Sequence, residues 1–200
     1  MGERDSQRKT HVLKGIGVSP GVATGKALIL DYSIANVPCY QLGSEAETLV
    51  EISRFEKALK ESRRQLAVLR KKLSDREGPK PLFIMDVHMM MLKDKTLINN
   101  TVNVIKERMI NAEWALMLTI DKYREIFEKI DDEYLRERFS DVEYVGQRIL
   151  RNLVGREHIR LADIEEASII ISKDLSPADT VQMKVENILG FATDMGGKTS

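Results

Sequence analysis

The spacing of apolar residues divides this chain into three stretches. Between Ser44 and Gly155 they recur at steps of three and four, the period of one helix face. On either side they come in short runs punctuated by glycine and proline. The helical stretch opens on Ser44 and Glu47, an S-x-x-E capping box. Leu49, Ile52, Phe55, Leu59, Ser62, Leu66, Leu69 and Leu73 follow on one face. That narrow seam predicts a long amphipathic helix that packs in a bundle. "REGPKP" breaks it, and a second helix is predicted over 82–92, with the run "HMMML". Asp94 is placed to cap a third helix, with Leu97, Thr101, Ile105 and Met109 on one face. "NAEW" opens a fourth, with Trp114, Met117, Ile120, Phe127 and Ile130 apolar. "DDEYLRERFSDVEYVGQRILRNLVG" reads as the last, lined by Leu135, Val142, Val145, Ile149 and Leu153 and closed by a C′ glycine, Gly155. The pattern is a bundle of about five helices.

The flanks read differently. Apolar runs at 12–18 and 26–30 surround a Ser-Pro-Gly turn, which predicts strand, turn, strand. Past Gly155, "ASIIIS" is a β-branched run typical of a buried strand. In "SPADTVQM", Ser176 takes the N-cap, Pro177 the first helical position and Asp179 the first turn. "NILGFAT" is a further short strand that runs into "DMGGKTS". Strand, helix, strand and glycine loop make an α/β pattern. The expected fold is therefore mixed α+β and α/β. A helical bundle, 43–155, is inserted into a discontinuous α/β domain formed by 12–42 and 156–200. Residues 1–11 are expected to be a disordered polar lead.

Composition narrows the class. With 200 residues the chain can bury a real core. Charged residues make up 31% and hydrophobic residues 42%, which suits a soluble, helix-rich protein. Lys+Arg and Asp+Glu are both 31, so no whole-chain electrostatic case exists for nucleic acid or an anionic membrane. Cys39 is the single cysteine; it excludes an internal disulfide framework and a cysteine-based zinc site, and suits a reducing compartment. No apolar run reaches the roughly 18 residues of a membrane-spanning helix. "MGERDSQRKTH" lacks the apolar stretch of a signal peptide. The expected location is cytoplasmic.

The glycine loop invites a nucleotide reading. Gly197, Lys198 and Thr199 fit the end of a phosphate-binding P-loop, G-x-x-x-x-G-K-[ST]. Its first glycine falls on Ala192, and only two residues follow Lys198, too few for the helix whose amides would face the phosphate.

A second reading rests on resemblance. "GIGVSPGVATGKALIL", "DDEYLRERFSDVEYVGQRILRNLVG", "DLSPADT" and "GFATDMGGKTS" occur in order, with a helical insertion between them. Together they resemble the N-terminal part of Enzyme I, the phosphoenolpyruvate-utilising component of the bacterial phosphotransferase system. The resemblance implies a swivelling phosphohistidine domain interrupted by a helical domain that docks the carrier HPr. It implies that the histidine taking phosphate from phosphoenolpyruvate directly follows Gly-Gly-x-Thr-Ser, which places it after Ser200. The chain is therefore expected to be inactive alone. The barrel that binds phosphoenolpyruvate and Mg²⁺, and through which the family dimerises, is expected outside this stretch. No metal or cofactor site is expected within it. Two rivals stay open: an interaction module without chemistry, and the nitrogen-branch paralogue, which normally carries an extra N-terminal sensory domain.

Residue by residue, the resemblance sets Ser176 beside the acceptor histidine, where the family most familiarly has threonine; a plain helix cap is the alternative. Gly196 and Gly197 would let the backbone approach a phosphoryl group, with Thr199 and Ser200 in the same loop. Lys198 either offsets phosphate charge or is solvated. Met90 and Met91 fall where the family presents apolar residues to HPr, and Phe127 and Leu135 match other apolar contacts. Three consecutive methionines cannot all face a core, since each residue turns about 100°; the alternative is gap-filling core. Asp86 and Asp94 would meet basic groups on the carrier. Arg138 matches an arginine near the docking face, or is a solvated charge. His88 matches a histidine facing the phosphohistidine domain, or is a half-buried helix residue; its spacing from Asp86 does not suit a metal on one helix face. His11 lies in the frayed lead, and His158, in a connection, is read as solvated. Lys80, Lys93 and Lys95 make this face less acidic than the family's.

Overall fold

The structure is a computed structural model that describes residues 11–30, 37, 39–74, 79–155, 161, 164–180 and 183–195. Its elements run β1 (Lys26–Leu30), α1 (Glu45–Ser74), α2 (Pro79–Met91), α3 (Lys95–Arg108), α4 (Ala112–Glu128), α5 (Glu133–Glu137), α6 (Phe139–Val154), β2 (Ser168–Ser172), α7 (Pro177–Thr180) and β3 (Ile188–Thr193). The described chain is thus mostly helical, with one small parallel sheet in the order β1-β2-β3.

Local signals account for most element ends. Ser44 Oγ accepts from Glu47 N at 3.3 Å. The Glu47 carboxylate reaches back one residue further than a standard box and takes Gly43 N at 2.9 Å. Asp94 caps α3 by accepting from Thr96 N at 2.8 Å. Gly155 ends α6 at φ 66°, a left-handed position where a Cβ is costly. Asn111 stands at the start of α4, but its side chain does not cap it. The first amide of α4, Ala112 N, is taken instead by Glu51 of α1 at 2.8 Å.

The bundle core runs through Phe55, Leu59, Leu66, Leu69 and Leu73 of α1, Leu97 and Ile105 of α3, Leu116 of α4, and Val145, Ile149 and Leu153 of α6. Gly146 of α6 lies against Ile120 of α4; an added Cβ would sit 3.0 Å from two of its carbons, so the glycine lets these helices approach closely. A second, smaller cluster of Leu30, Leu161, Ile164 and Ile170 lies under the sheet.

Four expectations are corrected. Residues 12–18 form no strand, and Val12, Leu13, Ile16 and Val18 are exposed. Apolar side chains do not make a strand without a neighbour for the backbone amides, and a Cβ on Gly15 or Gly17 would meet nothing within 4 Å. Leu49 is exposed, and Thr48 and Glu51 take its place on the inner face, because the first turns of α1 face a polar junction. The single helix expected from 131 to 155 divides into α5 and α6. At the division, Arg138 N bonds Leu135 O and Asp141 N bonds Arg138 O, both at 3.1 Å. These i to i+3 bonds tighten the turn. β2 is the central strand but is covered on one face only among the described residues, since Ile29 and Ile171 are exposed.

Candidate functional site

The helix α2 carries the residues on which a docking surface would rest. Met85, His88 and Leu92 are buried, at the spacing of one helix face. Met89 and Met91 are half-buried, and both pack against the bundle core. Met90 points the other way and is 72% exposed, as is Phe83, seven residues earlier, at 64%. The methionine run is thus divided between core and solvent.

Inside the bundle, α2 meets α6 through His88. The ring is 3% exposed, and its Nε2 lies 3.0 Å from Asp141 Oδ1. An ionised carboxylate only accepts, so the imidazole donates here. Arg138 Nη1 donates to the other oxygen, Asp141 Oδ2, at 3.4 Å. The same guanidinium bonds the Tyr134 hydroxyl and lies 4.7 Å from that ring's centre. Burial alone would raise the Asp141 carboxyl, but the bonds from His88 and Arg138 outweigh it and hold the group below its ordinary range. The sign follows from linkage. Stabilisation from a carboxyl with a depressed folded pKa is complete above its unfolded value, about 4, and is lost as pH falls toward the folded value. Asp141→Asn should therefore be less stable than the parent at neutral pH, with the two urea midpoints converging in acid. Parallel midpoints across that range would contradict the pairing.

The other candidates have intrachain partners. Asp86 is bonded to Arg70 of α1 at 2.5 Å, and that bond lowers its pKa. Asp94 is the α3 cap. Phe127 is half-buried, its ring 5.7 Å from that of Phe139. Leu135 is exposed beside Tyr134 on α5. Lys93 and Lys95 are exposed, and His11 is exposed in the lead.

Ser176 is buried at the start of α7. Its Oγ accepts from Asp179 N at 3.2 Å and donates to Asp179 Oδ2 at 2.6 Å. That carboxylate oxygen also accepts from Ser176 N at 3.0 Å, closing a reciprocal cap. The chain leaving β3 folds back toward this turn. Asp194 N bonds Ser172 O and Lys173 O, and Met195 N bonds Lys173 O at 3.0 Å. Gly196, Gly197, Lys198, Thr199, Ser200 and His158 lie outside the described residues. The fold thus brings the approach to the glycine loop beside the Ser176 turn, and α7 packs beside α2.

Sequence reasoning missed Asp141, Tyr134, Tyr144 and Asp174. The trace they left is a polar row, Arg138, Asp141 and Tyr144, at helical spacing beside the apolar seam of α6. Among the described residues, no group of three or more His, Cys, Asp or Glu side chains could hold a metal ion. No helix among them is long and apolar enough to cross a membrane.

Comparison with known proteins bears on this arrangement. Residues 14–138 match the family model for the PEP-utilising enzyme, N-terminal, and residues 164–200 match that for the PEP-utilising enzyme, mobile domain. The chain is 37% identical to the phosphoenolpyruvate-protein phosphotransferase of Listeria monocytogenes, over 94% of this chain and 32% of that protein. It is 36% identical to the protein of the same name from Bacillus subtilis, over the same shares. It therefore spans 32% of the length of these relatives. Among solved structures it is similar to Enzyme I (nEIt), with a TM-score of 0.76 and 36% identity, covering 94% of this chain and 76% of that one. The N-terminal domain of Enzyme 1 - Nitrogen has a TM-score of 0.63 at 24% identity, covering 92% and 74%, a likeness of fold alone.

Proposed function

The chain belongs to the PEP-utilising enzymes, in the N-terminal part of the Enzyme I family, and on that premise we propose that it docks a phosphocarrier for a phosphoenolpyruvate-protein phosphotransferase. Residues 43–155 are the docking domain. Residues 12–42 and 156–200 belong to one phosphohistidine domain that the docking domain interrupts. In the whole protein a histidine takes the phosphoryl group from phosphoenolpyruvate and yields it to HPr. That histidine follows Ser200, so Gly196, Gly197, Lys198, Thr199 and Ser200 form the loop on its N-terminal side. Mg²⁺ belongs with the phosphoenolpyruvate site in the rest of such a protein. Dimerisation belongs there too, and the setting is the cytoplasm.

One observation carries the reading: α2, which presents Met90 to solvent, packs beside α7, which Ser176 caps. A carrier seated on α2 would have its phosphoryl group near the loop that follows β3. Met90 is an adaptable apolar contact. Arg138, held in place by Asp141 and Tyr134, offers a fixed charge on the carboxylate that also holds His88. Ser176 Oγ donates to Asp179 Oδ2 and accepts from Asp179 N, which leaves one lone pair to accept a further hydrogen bond. An interaction module without a catalytic parent is not favoured, because the relatives named above are phosphotransferases.

The test is a titration of HPr into the isotope-labelled chain, followed by NMR. Shifts are expected on α2, at the start of α3 and around α5. Met90→Asp should weaken binding about 30-fold or more, as expected for a central apolar anchor, with helix content unchanged because the side chain is exposed. Shifts confined to β1, β2 and β3, with the bundle silent, would count against docking here.

A further inference from the structure

We infer that Tyr144 is a positioning residue, whose hydroxyl on Asp174 sets the orientation of the Ser176 turn relative to the docking helix. The inference rests on the docking function proposed above, and its observations are separate from those that support it. The described residues form two apolar clusters, and no buried residue belongs to both. Where two apolar cores are separate, relative motion is the default, and their orientation rests on the few contacts between them, here α2 against α7 and the polar contact of Tyr144.

Tyr144 supplies such a contact. It stands on α6, half-buried, with its ring 6.3 Å from that of His88 on α2. Its hydroxyl donates to Asp174 Oδ2, in the segment between β2 and α7. The other oxygen of Asp174 accepts from Leu175 N at 2.8 Å. The Asp174 carbonyl accepts from Ser172 Oγ at 2.7 Å. One carboxylate therefore holds the bundle's tyrosine and the backbone entering Ser176 together. The segment that leads into the glycine loop is bonded to Ser172 and Lys173, just before Asp174. Burial first, and then the bond to Asp174, push the phenol far above its ordinary range, so it stays a donor at any physiological pH. Tyr144 thereby links the face that holds His88 to the turn that holds Ser176, although it belongs to neither apolar cluster.

Residual dipolar couplings on the 200-residue chain test this. In the parent chain, amides of α1, α3, α4 and α6 and amides of β1, β2 and β3 should fit one alignment tensor. Tyr144→Phe keeps the ring against His88 and removes the hydroxyl. It should split the fit into two tensors, with the sheet aligned more weakly than the bundle. Asp174→Ala removes the acceptor itself and should split the fit in the same way. A single shared tensor in Tyr144→Phe or in Asp174→Ala overturns the inference. HPr titration of the same samples separates the two proposals. A parent chain with one tensor that fails to bind HPr counts against docking and leaves the joint standing. A Tyr144→Phe chain that binds HPr on α2 but keeps one tensor counts against the joint alone.

Discussion

Replacing Arg54 with methionine is expected to cost about 2 kcal/mol of stability, less than the roughly 3–5 kcal/mol for breaking a fully buried ion pair, because the guanidinium is half-buried and part of its charge is screened by solvent. Arg54 Nη1 donates to both oxygens of Glu51, at 2.6 and 2.7 Å. Its Nη2 donates to Glu113 and, at 3.2 Å, to Leu153 O. Glu51 and Glu113 are both buried. Burial would lower the pKa of the guanidinium, but its bonds to the two carboxylates overcome that and raise it. Without the arginine, two buried carboxylates remain close together with no cation between them. Urea unfolding reads the loss. Converting Glu51 and Glu113 to glutamine in the same variant should recover part of the loss. A deficit under about 0.5 kcal/mol, the level of an exposed surface pair, would mean that the junction is hydrated.

The consequence would reach beyond the bundle core. Glu51 also caps α4 and accepts from the Tyr40 hydroxyl at 3.3 Å. Asn111 ties Glu113 to Tyr40 N. The cluster thus joins α1, α4, the segment that enters the bundle at Tyr40 and the end of α6 at Leu153. Losing it should loosen both chain connections to the sheet.

The second expected result is all or none. Incubated with phosphorylated HPr, the 200-residue chain should acquire no acid-labile, base-stable phosphoryl group. A chain that carries histidine directly after Ser200 and continues through the rest of the phosphohistidine domain should acquire one on that histidine. Transfer between two histidines needs little driving force, so the outcome depends on geometry and on the presence of the nucleophile. His88 is a poor substitute. Its ring is buried and its Nε2 is committed to Asp141. His11 is exposed but lies in the lead rather than beside the Ser176 turn. Label on the 200-residue chain, or an extended chain that never takes label, would overturn the assignment of the glycine loop.

Much of this protein was legible from short-range patterns. The caps at Ser44, Asp94 and Ser176 and the left-handed Gly155 depend on neighbours three or four residues away, and they stand where the pattern placed them. The α1 seam holds from Phe55 to Leu73, because one face meets the same core throughout. The family was legible too, because its motifs are local and occur in order. Reading failed where the outcome depends on what lies across the fold. An apolar run at 12–18 has the composition of a strand, but a strand also needs a ladder partner. Leu49 fits the period, but helical period does not say where the core ends. "HMMML" announces that some methionine must be exposed, and only the packing of α2 on α1 and α6 decides that it is Met90.

The polar partners were beyond any local pattern. His88 and Asp141 are 53 residues apart, Tyr144 and Asp174 are 30 apart, and Arg54 and Glu113 are 59 apart. Helical period shows which face each residue occupies and leaves open which residue of another helix it will meet. That is settled by where helices cross, and the crossings follow from side-chain volumes such as the missing Cβ at Gly146. By itself the sequence determined most of the helices, their caps and the family. The tertiary structure decided which charges are paired, because hydrogen bonds between distant side chains form only after the apolar faces have set the distances.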